Sequence, residues 1–459
     1  MSSMICQTTL NPQTPSKAIV LSTTLMEKWG YTNGKSIKVK IGNKSLIARV
    51  VSTRAKGNKI FFSPEMAKQL CLPYTGATRA MVYGKTLQLG PVIGILTTGY
   101  TGNPQSPFGS RSHLFKSFIQ AGASEKPFFF VFTPEMVNWS NKTISGWFYK
   151  KDAQGHDLWV RHSSPFPDVI YERVPNRKVE SLSHVQSCLT KFKETNQCQI
   201  FNQGFFNKWA VHQMLSTHSS TVHAIPETYL SPSISTLQKM LEKHQMVYLK
   251  PSGGSLGLGI FRITRHPQEG YFCRYHDGKS VLHRFFSLEK LIQHYFGSSN
   301  SARFKKYLVQ QGIRLIKHEG RPVDFRVHMH KDKTGQWKVI AIGAKAAGNG
   351  SVTTHVRTGG SIIPTNELLQ KIFKQDALSV ENSIKHTAIT IAQVLEQKVD
   401  GPLGELGMDM GVDLSKKVWL FEINSKPGRH IFHHPSLRDA GRQSAKCITD
   451  FSLKLTNFV

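Results

Sequence analysis

The chain has 459 residues, too many for one ordinary domain and about enough for three, and its 39% hydrophobic content supplies real cores. Its 59 Lys and Arg against 29 Asp and Glu give a net charge of +30, which argues for acidic partners; without zinc-finger spacing or an RNP-type aromatic motif, nucleic acid is not the expected one. No apolar run reaches the ~18–20 residues of a membrane span, and the six scattered cysteines form no C-x-x-C pair, so a soluble protein made and kept in a reducing cell interior is expected, with no membrane partner.

The first 90 residues hold 13 Lys and Arg but only two Asp and Glu, so +11 of the charge sits in one fifth of the chain. They contain a degenerate repeat, in which VLSTTLMEKWGYTNGKSIKVKIGNKSLIARV (20–50) aligns with FFSPEMAKQLCLPYTGATRAMVYGKTLQLGPV (61–92). Ser22 matches Ser63, Leu25 matches Met66, and after a one-residue gap Gly34 matches Gly76. Each copy reads as a strand end, a short helix with a serine cap, a glycine turn and two alternating strands. Neither copy can bury a face alone, so the two are expected to interleave into a small barrel. That barrel is either a basic docking module or a stabilising appendage.

Residues 91–185 change character. VIGIL (92–96) and FFFVF (128–132) are continuous apolar runs of the kind buried on both faces, and SRSHLFKSFIQAGA (110–123) between them has helical spacing. The pattern predicts a small α/β domain with parallel strands, ending at DVIYERV (168–174). Beyond residue 200 helices alternate with hairpins. FFNKWAVHQMLSTH (205–218) predicts a helix with Phe206, Ala210 and Met214 along one face. Ser287 reads as the N-cap of a second helix that turns Leu288, Leu291, Ile292, Tyr295 and Phe296 inward. Val380, Ile384, Thr387, Ala388, Ile391, Ala392 and Leu395 share the face of a third.

Between these helices lies YLKPSGGSLGLGIFRI (248–263), a short apolar strand ending in Lys250, a glycine- and serine-rich turn, and a returning strand. Backbone N–H groups in such a turn, beside a fixed ammonium, suit phosphate oxygens; the alternative is a loose hairpin. A Walker-type phosphate loop is excluded because the lysine precedes the glycines, and a dinucleotide fingerprint because no helix follows. DFRVHMHKDKTGQWKVIAIGAK (324–345) predicts a hairpin turning at Asp332–Gly335 with Asp324, Arg326 and His328 on one face. An arginine fixed on a strand can stabilise charge developing on a transferred phosphoryl group, and Lys345 on the return strand can join it; a structural ion pair is the alternative.

GELGMDMGVDLSKKVWLFEINSKPGR (404–429) predicts a second hairpin with a four-residue loop, Leu414–Lys417. Asp413 then faces Val418, Gly411 faces Leu420 and Asp409 faces Glu422, with Asn424 on the same face as Glu422. Two carboxylates directly opposite each other repel unless a cation lies between them. Oxygen-only ligands favour Mg²⁺ or Mn²⁺ over zinc; a solvent-facing acidic pair is the alternative.

A strand lysine before PSGGS, a D-x-R strand and a late G-x-D…F-E-I-N-S-x-P-G hairpin, in that order over about 250 residues, resemble the ATP-grasp superfamily. With the basic repeat and the PDVIYERVPNR lead-in, the layout resembles the YheC/YheD endospore coat-associated family. The resemblance implies a mixed α/β multidomain fold. Its units would be a basic β-rich repeat domain (1–90), an α/β pre-ATP-grasp domain (91–185), an ATP-grasp N-terminal subdomain with a phosphate lid (186–305) and a C-terminal subdomain with a metal site (306–459). It implies ATP phosphates at Lys250 and at the earlier Lys208, with Ser252, Gly253, Gly254 and Ser255 in the loop that closes over them. Adenine is expected at Gln310, Gln311, Gly312 and Ile313, where the family more often carries a glutamate. Arg326 and Lys345 match basic residues near the transferred phosphate, and Asp409, Glu422 and Asn424 match magnesium ligands. The segment GNGSVTTHVRTGGS (348–361) resembles the loop bordering the acceptor site, with His355 and Arg357 as substrate contacts.

The expected activity is an ATP- and Mg²⁺-dependent carboxylate–amine ligase, with small-molecule or peptide substrates, made in the cytoplasm and associated with the spore coat and its acidic components. The alternatives are a non-catalytic ATP-binding structural component of the coat and a basic binder of nucleic acid or another anionic polymer.

Overall fold

The computed structural model describes residues 3–152, 154–195, 198–253, 259–348, 351 and 360–459; Gly254, Ser255, His355 and Arg357 lie outside them. Four sheets follow one another along the chain. The first is a closed barrel of β1 (Met4–Leu10), β2 (Ala18–Ser22), β3 (Ser36–Ile41), β4 (Lys44–Thr53), β5 (Lys59–Phe62), β6 (Gly76–Tyr83) and β7 (Thr86–Gly90), in the order β1-β5-β2-β4-β3-β7-β6. The repeat copies interleave as expected: β5 of the second copy pairs with β2 of the first, and β7 with β3. Leu25 in helix α1 (Thr23–Trp29) and Met66 in α2 (Pro64–Gln69) plug the barrel at equivalent positions, both fully buried. The serines are not equivalent. Ser63 caps α2 by accepting from the Met66 N–H at 3.1 Å, whereas Ser22 accepts from the Lys59 N–H of the neighbouring strand β5.

The second sheet runs β10-β11-β9-β8-β13-β14, from β8 (Val92–Leu96), β9 (Phe128–Phe132), β10 (Val137–Asn138), β11 (Thr143–Lys151), β12 (Asp157–Pro165), β13 (Val169–Glu172) and β14 (Gln199–Phe201), with β12 paired to β11. The buried runs of β8, β9 and β13 are parallel neighbours, as their apolarity on both faces requires. The expectation of parallel strands ending near residue 174 needs correction, because an antiparallel β11–β12 hairpin extends one edge and β14 follows on the other. Helix α3 (Ser112–Ala121) covers this sheet with Phe115 and Phe118; α4 (Arg177–Glu180) and α5 (Ser183–Glu194) lead on from it.

Next, α6 (Lys208–Ser216) opens the remainder of the chain. It buries Val211 and Leu215 most deeply, while Phe206 and Met214 of the expected stripe are half-buried against the same core, so the apolar face is centred one residue beyond the expected line. The third sheet, β15-β20-β16-β17-β18-β19, comprises β15 (Thr228–Leu230), β16 (Met246–Pro251), β17 (Phe261–His266), β18 (Gly270–Asp277), β19 (Lys279–Phe285) and β20 (Tyr307–Gln311). Helices α7 (Ile234–His244) and α8 (Leu288–Phe296) close one face; Ser287 caps α8 as predicted, accepting from the Lys290 N–H. Val247, Leu249 and Val309 point into that core, which leaves Tyr248, Lys250 and Gln310 on the opposite face.

The fourth sheet runs β24-β23-β22-β25-β26, built from β21 (Lys317–His318), β22 (Arg321–Lys331), β23 (Trp337–Ala346), β24 (Ser361–Pro364), β25 (Glu405–Val412) and β26 (Val418–Asn424); β21 pairs only with β22. Its core face carries Val323, Phe325, Val327, Leu406, Met408 and Met410 against α6, α9 (Thr365–Phe373) and α10 (Ala377–Glu396). The last helix, α11 (Arg438–Leu455), joins the core of the second sheet through Ala445, Ile448 and Phe451.

At the junction of barrel and second sheet, Asp168 is buried and accepts from Gln88 Nε2 (3.1 Å) and the Val92 N–H (2.8 Å). Burial pushes its carboxyl up to about 6, despite those bonds and nearby Lys40. A folded-state value raised above the unfolded one means the native state holds the proton more tightly. Stability contributed here is full below about pH 4 and is lost as pH rises through about 6. Asp168→Asn, in which Gln88 can turn its amide to accept from the new Nδ2, should flatten that part of the stability–pH profile; chemical denaturation at pH 4, 5, 6 and 7 measures it.

Candidate active site

The polar faces of the third and fourth sheets meet at a cluster of lysines, one arginine and carboxylates. On the fourth sheet Arg326, Asp409 and Glu422 occupy one row across β22, β25 and β26, since Arg326 pairs with Asp409 and Asp409 with Glu422 in register. Gly407 is opposite Asn424, placing that amide two residues further along β26. The Asp409–Glu422 pairing is the one the sequence predicts, but it arises differently. Asp413 Oδ1 accepts from the N–H groups of Ser415 and Lys417, which tightens the loop to Leu414–Lys416, with Lys416 at φ 69°. The register near the turn therefore slips by one, so that Val412 faces Val418 and Gly411 faces Trp419. A bulge between Asp409 and Met410 takes up Phe421 as an extra residue and restores the register at Glu422. Leu420 and Ile423, three apart, both enter the core, while Phe421 and Glu422 are left out of it.

The expected carboxylate repulsion is absent, because cations already occupy both groups. Lys345 Nζ lies 2.8 Å from Asp409 and 3.0 Å from Asp324, and Arg326 Nη2 lies 3.4 Å from Asp409. Lys208, the first residue of α6, reaches Glu422 at 2.5 Å. Burial alone would raise the Asp409 carboxyl; Arg326 and then Lys345 hold it well below the usual carboxylate range. Arg326 is buried, and its Nε and Nη1 have no hydrogen-bond partner among the described residues. Such donors are costly to bury unless a ligand completes them. Gly407 beside them is a close fit, since a Cβ there would meet Pro427 at 2.5 Å and Arg326 Nη1 at 3.1 Å.

From the third sheet, Lys250 projects between Tyr248 and Phe421, its Nζ 5.7 Å from the Phe421 ring. It donates to Gln310 Oε1 at 2.5 Å, a neutral partner. Burial, followed by neighbouring Lys208, lowers its ammonium to about 8, against the opposite pull of Glu422, Asp409 and Asp324. Gln310 passes its own amide N–H to Thr228 (3.1 Å), and Gln311 Oε1 accepts from the Glu227 N–H (3.2 Å). Both glutamine side chains are thus engaged within the protein. Gly312 donates its N–H to the Met246 carbonyl and has no room for a Cβ, while Ile313 is buried. Ser252 is tied to the Lys306 carbonyl through its N–H, and Gly253 is exposed in open space.

A second cluster escapes sequence reasoning. Glu405, the first residue of β25, is fully buried; its Oε1 has His328 Nε2 at 2.9 Å, His330 Nε2 at 3.5 Å and Arg429 Nη1 at 3.0 Å, and its Oε2 has Arg173 Nη1 at 3.8 Å and accepts from the Tyr171 hydroxyl. Against the raising effect of burial, Arg173 and the histidines hold the carboxyl well down, and burial lowers His328 to about 4. The two histidines and Glu405 have a spacing a metal ion could use. Two arginines on the same carboxylate already exceed its charge, so the cluster is a compensated hub joining β13 to β22 and β25. Asn202 reinforces it by bonding the backbone of Gly404, Glu405 and Ser425. The available sequence signal was the continued alternation of His328 and His330 after Arg326.

Comparisons with known proteins bear on the chain as a whole. A family model described as YheC/D like ATP-grasp matches residues 197–455. The chain is 33% identical over 404 residues to Endospore coat-associated protein YheD of Bacillus subtilis (strain 168), covering 86% of this chain and 85% of that one. It is 24% identical over 279 residues to Endospore coat-associated protein YheC of the same organism, covering 59% and 73%. Among solved structures, D-alanyl-alanine synthetase A from Vibrio cholerae O1 biovar eltor str. N16961 overlaps 80% of this chain and 99% of its own, at 16% identity and a TM-score of 0.42, a likeness too loose to carry an argument.

Two outcomes follow from the ion pairs. Glu422→Gln should lower ligand-free stability slightly, by about 1 kcal/mol or less, because it removes a half-exposed partner of Lys208 and no repulsion is relieved. Glu405→Gln should lower it by about 3–5 kcal/mol, since Arg173 and Arg429 lose a buried counter-charge. Urea unfolding of both variants beside the parent checks the contrast.

Proposed function

The chain belongs to the YheC/D-like ATP-grasp family, and from that premise we propose that it is an ADP-forming ligase that joins a carboxylate to an amine through an acyl phosphate. The observation that carries the reading is the convergence of Lys208 from α6, Arg326 and Lys345 from the fourth sheet and Lys250 from the third around Asp409 and Glu422. Cations in this number, next to two nitrogens of Arg326 without a partner among the described residues, suit a polyphosphate.

ATP is the substrate whose phosphates Lys250 and Lys208 would bind, with Ser252 and Gly253, and Gly254 and Ser255 beyond them, closing the site. Asp409, Glu422 and Asn424 form an all-oxygen donor set on one face, which fits Mg²⁺, or Mn²⁺, rather than zinc. Bound there, the metal would supply charge neutralisation of phosphate oxygens. The residues of the chain do the rest. Lys208 and Lys345, which hold Glu422 and Asp409, would move their charge toward phosphate as those carboxylates are taken up elsewhere. Arg326 Nε and Nη1 would donate to the transferring phosphoryl group, where negative charge must be stabilised. The substrate carboxylate forms a bond to the γ-phosphorus as the β–γ bridging bond breaks and ADP leaves. The amine then forms the C–N bond, expels phosphate and loses a proton to water. Gln310 and Gly312 would present the hinge to adenine, Gln310 chiefly by keeping Lys250 in place. Phe421, the first residue of the F-E-I-N motif and given no role by the sequence, forms a wall beside Lys250.

Association with the endospore coat, and acidic coat components as partners of a chain with net charge +30, are part of the same reading; they are supported by the names of the B. subtilis relatives. No helix among the described residues is long and apolar enough to cross a membrane.

Lys250→Ala should weaken ATP binding roughly tenfold or more, the equivalent of about 1.5–3 kcal/mol for a charge-assisted contact. Calorimetric titration of Mg·ATP into parent and variant measures it, and equal affinities would remove Lys250 from the site. Glu422→Gln should abolish metal-dependent ADP release across a panel of carboxylate and amine acceptors while leaving a folded protein. A parent that binds Mg·ATP but releases no ADP with any acceptor would instead be an ATP-binding structural component.

A further inference from the structure

We infer that the outer face of β3 and β4 on the N-terminal barrel is a docking surface for a carboxylate-rich polypeptide. The inference rests on the reading of the chain as a partner of acidic components and is independent of its ligase chemistry. In β3, Ile37, Val39 and Ile41 fill the barrel, so Ser36, Lys38 and Lys40 must point outward. In β4, Ala48 and Val50 point inward, so Ser45, Ile47 and Arg49 point outward beside them. Register places Lys38 opposite Ile47, and Ser36 opposite Arg49. The face is widened by Lys85, whose carbonyl accepts from the Lys38 N–H, by Lys17, whose carbonyl accepts from the Arg49 N–H, and by Lys35. Lys17, Lys35, Lys38, Arg49 and Lys85 are all exposed, and none makes an ion pair among the described residues. The two barrel carboxylates, Glu27 and Glu65, lie on α1 and α2 instead.

Charge of one sign on a rigid wall, left without internal partners, raises the local concentration of an acidic partner. The wall's details favour polypeptide over nucleic acid. Ile47, 64% exposed, stands in its centre, where an apolar contact fits a protein side chain better than a phosphate backbone. No aromatic ring is present among these residues for a base to stack on. Lysine outnumbers arginine, the residue suited to bidentate phosphate contacts. Ile47 and Arg49 are two residues apart on one strand, about 6.7 Å, which is also the repeat of alternate side chains in an extended segment that offers an apolar residue and an acidic one. A second copy of the chain is a poor occupant, because its own charge is +30.

The test uses the full chain and fluorescein-labelled poly-L-glutamate, followed by anisotropy. One variant carries Lys38→Glu, Arg49→Glu and Lys85→Glu; a control makes the same change in net charge at exposed Lys239, Lys290 and Lys333, outside the barrel. The first should bind at least tenfold more weakly than the parent, and the control within threefold of it. Ile47→Ala should weaken binding about two- to threefold without changing its salt slope, while the parent's affinity should fall steeply between 50 and 300 mM salt. Circular dichroism and the melting temperature establish that each variant is folded. Equal losses in the two triple variants would overturn the surface but leave an acidic partner standing. A parent that ignores poly-L-glutamate would overturn both, and tighter binding to a DNA duplex than to poly-L-glutamate would make the face a nucleic-acid surface.

Discussion

Asp409 is the residue around which the C-terminal half is organised. It sits on a central strand with Arg326 in register on one side and Glu422 on the other, and Lys345 reaches it from the strand beyond β22. A buried carboxylate is tolerable only with counter-charge, and here three adjacent strands provide both the charge and the rigidity. The same register brings the oxygen donors onto one face and leaves Arg326 with N–H groups that have no partner among the described residues. One constraint, the pairing of β22, β25 and β26, therefore sets both the stability of the sheet and the chemistry available on it.

The other components hold that row in place or bring reactants to it. The third sheet contributes Lys250, whose neutral partner Gln310 fixes its direction without neutralising its charge. The second sheet is fastened to the fourth through Glu405, where Tyr171 and Arg173 from one meet His328 and His330 from the other. Glu405 is four residues before Asp409 on the same strand and face, so a displacement of the α/β unit would reach the site directly. The barrel stands apart in its chemistry: its interior is sealed by two repeat-related helices, and although Arg79 pairs with Glu125 and Lys40 lies near Asp168, the lysines and arginine of its outer face have no ion-pair partner among the described residues.

The hairpin of β25 and β26 shows how a sequence can yield a correct contact through an incomplete argument. Alternation of apolar residues locates the strands and brings Asp409 to Glu422. It cannot reveal that Asp413 tightens the turn by one residue, nor that Phe421 is bulged to compensate. Both effects depend on side-chain bonds and packing that have no periodic signature. Similarly, α6 was legible as a helix with Phe206 and Met214 on its apolar side, but the fourth sheet, and not the helix's own sequence, decides that Val211 and Leu215 are the residues buried most deeply.

What the sequence determined by itself was whatever local pattern and composition control: the interleaved repeat, the apolar central strands, the serine cap of α8, the lysine before the glycine turn, and the spacing of Asp409, Glu422 and Asn424. These follow from side-chain alternation, backbone freedom and charge, which act over a few residues. Only the tertiary structure decided what each charged group does. It placed Lys208 on Glu422 and Lys345 on Asp409 where repulsion was expected, turned Gln310 and Gln311 toward protein partners, and buried Glu405 among two arginines and two histidines. Electrostatic partners are chosen by distance in space, and residues 64 to 234 positions apart along the chain become neighbours only when the sheets close on one another.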